Sequence, residues 1–80
     1  MDLKILLFGI TRDIIGDHSF TIRLNEGGYV GDLKKYLYAE YPEMKKLRSL
    51  LIAVNNEYAP DDLRLSEKDE IALIPPVSGG

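Results

Sequence analysis

One stretch of this chain carries the spacing of a long amphipathic helix. Val30, Leu33, Leu37 and Tyr41 recur at helical intervals, and Lys34, Lys35 and Glu40 fall mostly on the other faces. Pro42 ends the pattern, because the residue before a proline is pushed out of the helical region. Tyr29 stands where a capping Ser, Thr or Asp is favoured, so the helix start is poorly capped by its own side chain. The other apolar segments are short. Leu3 to Phe8 reads as a first strand stopped by Gly9, and Ile10 to Gly16 as a turn of helix or a loop. Phe20, Ile22 and Leu24 alternate with polar residues, as a half-buried strand does. Asn25-Glu26-Gly27-Gly28 breaks the chain before the helix. Leu51 to Val54 is a further strand, Asn55-Asn56 a turn, and Glu57-Tyr58-Ala59 a short edge strand stopped by Pro60. Asp61 to Leu65 connects, Ser66 to Asp69 turns, and Glu70 to Ile74 is the last strand. One helix covers one face of one sheet, so the fold class is a two-layer α+β domain.

Composition narrows the functions. Eighty residues make one small domain. The absence of cysteine removes disulfides, thiolate zinc sites and cysteine nucleophiles together, and leaves any sulfur chemistry to the carboxyl end of the chain. A net charge of −3 argues against nucleic-acid binding by phosphate neutralisation. No apolar run approaches a membrane span, and the opening Met-Asp-Leu-Lys runs directly into a strand, so the expected location is the cytoplasm. His18, the one histidine, has no nucleophile near it and reads as a solvated turn residue. Asp61-Asp62 and Asp69-Glu70 lack calcium-loop spacing, and Gly27-Gly28 lacks the lysine of a phosphate loop. Tyr36, Tyr38 and Tyr41 read as packing and rim residues, because no basic stripe accompanies them. No internal constellation supports catalysis by this chain alone.

The strand pattern divides the apolar residues between two faces. Leu3, Ile5, Leu7, Ile71 and Leu73, with Ile22, Leu24, Val30, Leu33, Leu37, Ile52 and Val54, make an expected core. Leu6, Phe8, Ala72 and Ile74 then fall on the opposite face, with Tyr58 at their border. A clustered apolar patch on so small a domain marks a partner surface; ordinary exposure of apolar side chains is the alternative. The chain closes on Pro75-Pro76-Val77-Ser78-Gly79-Gly80. Prolines with φ held at about −65° make a stiff stem. Glycines without β-carbons make a slim tip that can thread a narrow tunnel. The alternative to a working carboxylate is a frayed terminus or a cloning scar.

The ending Asp69-Glu70-Ile71-Ala72-Leu73-Ile74-Pro75-Pro76-Val77-Ser78-Gly79-Gly80 resembles that of molybdopterin synthase small subunits, the MoaD-type sulfur carriers of the ubiquitin-like β-grasp family. The resemblance extends through Ala53-Val54-Asn55-Asn56-Glu57, Gly9 to Gly16 and Leu6-Leu7-Phe8. It implies a β-grasp domain over residues 1–75, with the first and last strands parallel at the sheet centre, and a flexible tail over residues 76–80. It also implies a carrier cycle. An E1-like adenylating enzyme, using ATP, converts the Gly80 carboxylate to an acyl-adenylate, and a sulfur donor converts that to a thiocarboxylate. The tail then enters the synthase large subunit and gives its sulfur to cyclic pyranopterin monophosphate, building the molybdopterin dithiolene. By this resemblance Gly80 bears the sulfur and Gly79 provides clearance. Pro75, Pro76, Val77 and Ser78 form the stem, and Phe8, Tyr58 and Ile74 pack against the large subunit. The chain itself binds no cofactor and no metal. It serves as the carrier subunit of a heterotetramer of small and large subunits whose catalytic side chains lie in the large one. Gly9 stands where Ala is frequent and Tyr29 where Thr is common, departures expected to bear on local helix stability only. A carrier for thiamine thiazole synthesis or tRNA thiolation, a plain β-grasp interaction module and a ubiquitin-like protein modifier are the rival readings.

Overall fold

The computed structural model describes residues 1–47 and 50–75. Strand β1 (Asp2–Leu7) leads through a short helix α1 (Ile10–Ile15) to β2 (Ser19–Arg23). The main helix α2 (Val30–Glu40) and a 3₁₀ turn (Pro42–Lys46) follow, then β3 (Leu51–Val54), β4 (Glu57–Tyr58) and β5 (Ile71–Ile74). The sheet order is β2-β1-β5-β3-β4. β1 and β5 run parallel, and the other neighbours pair antiparallel. The two most apolar strands therefore hold the centre of a mixed sheet, as the resemblance implies.

Period-two alternation sets the inner face. Leu3, Ile5 and Leu7 of β1 and Ile71 and Leu73 of β5 are each at most 1% exposed, and they pack with Ile22, Ile52, Val54 and the α2 residues Val30, Leu33 and Leu37. Leu24 corrects the expected core: it lies one residue past the end of β2 and is half-buried. Met44, Leu50, Leu65 and Thr11 complete the interior and have no periodic signal in the sequence. Met44 enters from the 3₁₀ turn, where Pro42 takes the first helical position that suits its missing N–H. The ring of Tyr41, which ends α2, meets Phe20 of β2 edge to face at 5.9 Å and fastens the helix end to the sheet.

The start of α2 shows how a poor cap is made good. The Tyr29 side chain caps nothing; instead the Asp32 carboxylate accepts from the Tyr29 amide at 2.8 Å, half of a capping box. The connection after β4 supplies what is missing. The Leu63 carbonyl accepts from the Val30 amide and the Asp61 carbonyl from the Gly31 amide, each at 2.9 Å, so free helix-end donors are satisfied by main chain distant in sequence. Lys34 closes the contact with an ion pair to Asp61 at 2.6 Å. Asn55 and Asn56 both hold positive φ, as a two-residue type I′ hairpin turn requires, and join β3 to β4. The Asn55 side chain bonds Asp69 and the Glu70 amide, which ties that hairpin to the entry of β5.

Candidate functional site

The register lines up one row across the outward face of the sheet. Leu6 stands opposite Ala72, Ala72 opposite Ala53, and Ala53 opposite Tyr58. The two alanines leave a low floor between larger walls. The result is a groove of about 360 Å³ lined by Leu6, Phe8, Ala53, Tyr58, Ala72 and Ile74, with Asn56 and Glu70 at its rim. Phe8 is 43% and Tyr58 69% exposed, so both rings stand free for a partner. Leu51, 43% exposed, pairs with Ile74 and extends the apolar row toward the end of β5. Burying such side chains contributes about 1.5–3 kcal/mol each, which favours covering this face.

The stem begins where that row ends. Pro75 follows Ile74 directly and is half-buried. A β-carbon placed on Gly9 would lie 2.9 Å from Cγ of Pro75, so the proline ring occupies the space a side chain would need. Gly9 belongs to the turn that closes β1. The buried Thr11 hydroxyl donates to the Phe8 carbonyl and accepts from the Phe8 amide at 3.1 Å, clamping the main chain that displays the Phe8 ring. The expectation that Gly9 affects helix stability only is thereby corrected: Gly9 touches the base of the stem. Pro76, Val77, Ser78, Gly79 and Gly80 lie outside the described residues.

Away from the groove, the Arg23 guanidinium donates to the Asp2 carboxylate at 3.0 Å and holds that carboxyl below its ordinary range. The hydrogen bond between Arg64 and the Tyr29 hydroxyl raises the Arg64 value. Among the described residues no group of His, Cys, Asp or Glu is placed to hold a metal ion, and no helix is long and apolar enough to cross a membrane.

The sequence model of the ThiS family matches residues 5–80. The chain belongs to the ThiS family. Within that family it is 40% identical to the molybdopterin synthase sulfur carrier subunit of Dictyostelium discoideum, over 96% of this chain and 94% of that one. Among solved structures it superposes on a putative molybdopterin converting factor subunit 1 from Pyrococcus furiosus with a TM-score of 0.85 and 27% identity, over 96% of this chain and 99% of that one. It also matches a chain from the complex of subunits 1 and 2 of the Helicobacter pylori molybdopterin-converting factor, with a TM-score of 0.68 and 27% identity over the full length of both.

In this ThiS-family chain the structure brings Phe8, Tyr58 and Ile74 to one groove and puts Pro75 at its edge. Sequence reasoning missed Ala53 and Leu51 on the same face, Gly9 against Pro75, and Thr11 behind the main chain of Phe8. Ala53 could have been found from alternation, since it faces away from the buried Ile52 and Val54. The contact of Gly9 with Pro75 had no local signal, because it joins the two ends of the chain.

Proposed function

We propose that this chain is the sulfur-carrier small subunit of a molybdopterin synthase, with the carboxyl group of Gly80 as its working group. The observation that carries this reading is the continuity of groove and stem. The apolar row ends at Ile74, and Pro75 follows on the same edge. A partner that covers the groove meets the base of the stem at once. Docking energy is then spent away from the reacting atom, where it orients the chain end.

The cycle asks little of the carrier's own side chains. On an E1-like enzyme a Gly80 carboxylate oxygen bonds the α-phosphorus of ATP, and pyrophosphate leaves. A sulfur nucleophile then attacks the activated carbonyl carbon, and the bond to AMP breaks. Activation turns a poor electrophile into a good one, the general logic of a covalent intermediate. The resulting thiocarboxylate enters the large subunit, whose pocket holds the pterin precursor, and its sulfur passes to that substrate. Gly79 gives the tail clearance, and Pro75, Pro76, Val77 and Ser78 carry the end away from the sheet.

The direct test combines the chain with the activating enzyme, ATP and a sulfur source and measures intact mass. Replacement of one oxygen by sulfur is expected, and an unchanged mass would reject the carrier reading. Adding the large subunit and the pterin precursor should then give dithiolene product. A charged chain that yields none would belong to another thiolation pathway.

A further inference from the structure

Strand β4 consists of Glu57 and Tyr58 alone and pairs only with β3, at the outer edge of the sheet. A hairpin that short is marginal by its own pairing. Yet it carries the Tyr58 wall of the groove. Its turn is held from outside by Asn55. The Asn55 main-chain amide donates to the Glu70 carbonyl at 2.8 Å. Its side-chain oxygen accepts from the Glu70 amide at 2.9 Å, and its side-chain nitrogen donates to Oδ1 of Asp69 at 3.0 Å. Oδ2 of Asp69 accepts in turn from the Ser66 amide at 2.8 Å. These partners dictate which way the Asn55 amide points, because a main-chain N–H only donates and a carboxylate only accepts.

We propose that Asn55 is a positioning residue for docking: its side chain braces the β3–β4 hairpin against the entry of β5 and holds the Tyr58 ring at the groove before a partner arrives. The proposal rests on the carrier reading, in which the large subunit covers that groove. Tyr58 is largely exposed, so its own packing does little to fix it. Ala59, half-buried against the core, anchors the far end of β4, and the Asn55 brace anchors the turn end. The same bonds hold both main-chain groups of Glu70, the charged residue on the groove's rim. A wall already in place spares the partner the cost of ordering it. The bond to the Asp69 carboxylate is of the stronger, charge-assisted kind. Without it the hairpin opens for part of the time, and affinity falls in proportion to the fraction that stays closed.

The test exchanges the two side chains. Asn55→Asp keeps a residue that tolerates positive φ but sets a second carboxylate against that of Asp69. Titration calorimetry with the large subunit should show affinity reduced at least about fivefold. Adding Asp69→Asn restores every bond and the wild-type net charge. The new amide donates to the new carboxylate and still accepts from the Ser66 amide. This exchanged pair should bind within about twofold of wild type. Asn55→Asp should cost little once Tyr58 is alanine, because the wall it positions is gone. A weakened fold, or direct contact of Asn55 with the partner, predicts the same loss on both backgrounds. In the free chain, hydrogen exchange of the main-chain amide at position 55 should quicken in Asn55→Asp and slow again in the exchanged pair. Wild-type affinity in Asn55→Asp, no recovery in the exchanged pair, or an undiminished loss on the Tyr58→Ala background would overturn the proposal. If the wild-type chain does not bind the large subunit, the carrier reading fails; the brace is then judged by exchange at position 55, where unchanged rates overturn it.

Discussion

The Asp61 carbonyl accepts a hydrogen bond from the Gly31 amide at 2.9 Å, and an added β-carbon on Gly31 would stand 3.3 Å from that same oxygen. In most helices Gly→Ala stabilises by about 0.5–1 kcal/mol. Here Asp61 cannot retreat easily, because Lys34 holds its side chain and the neighbouring Leu63 carbonyl is bound to Val30. Gly31→Ala is expected to destabilise by about 1 kcal/mol. Urea denaturation reads this as a lower midpoint with the slope unchanged; a raised midpoint would contradict it.

Met44 is fully buried although it belongs to a turn that also carries Glu43, Lys45 and Lys46. It plugs the core below the end of α2. Met44→Ala should cost about 2–5 kcal/mol, the range for deleting a buried side chain of this size. A cost under about 0.5 kcal/mol would place Met44 at an ordinary surface position instead.

Ala72 is the floor of the groove, flanked by Leu6 on one side and Ala53 on the other. A lysine there keeps its own charge solvated in the free chain but loses that solvation under an apolar partner. Ala72→Lys should weaken large-subunit binding by at least about tenfold while leaving the far-ultraviolet circular dichroism unchanged. Titration calorimetry giving wild-type affinity would mean that the partner docks elsewhere.

Gly80 is assigned the one reacting atom group of the carrier, so its substitution tests that assignment most directly. Gly80→Ala adds a methyl where the tail must pass between protein walls, and the rate of adenylation should fall at least about tenfold. One residue appended after Gly80 moves the carboxylate and should abolish charging. Pyrophosphate release reads the first step of both variants, and normal release in the extended chain would reject Gly80 as the acceptor.

Asp2 and Arg23 provide a pH signature far from the site. Their hydrogen bond lowers the Asp2 carboxyl in the folded chain relative to about 3.9 in an unfolded one. The folded state then binds fewer protons on this group. The pair's stabilisation is present above about pH 4 and is lost as pH falls through the lower folded value. Both groups are exposed, so the effect is small. Nuclear magnetic resonance titration should show the Asp2 value rising toward the ordinary range in Arg23→Gln; an unmoved value would deny the contact.

The strands, the main helix and its stop at Pro42 were legible because each is written in local periodicity or in a proline constraint. Leu3, Ile5, Leu7, Ile71 and Leu73 announce an inner face by alternation, and Leu6, Phe8, Ala72 and Ile74 announce the outer one by the same rule. Met44, Leu65 and Thr11 were not legible, since they reach the interior from turns and connections where no period applies.

What the sequence determined by itself is therefore the element order, the two faces of the sheet and the charge-free stem, all properties of neighbouring residues. The tertiary structure decided the rest. It placed Ala53 beside Ala72, put the Asp61 carbonyl on the Gly31 amide, and brought Gly9 under Pro75. Each of these joins segments remote along the chain. The parallel register of β1 with β5 brings the two ends of the molecule together at Gly9 and Pro75, and the antiparallel register of β3 with β5 sets Ala53 beside Ala72, because pairing register decides which remote residues meet.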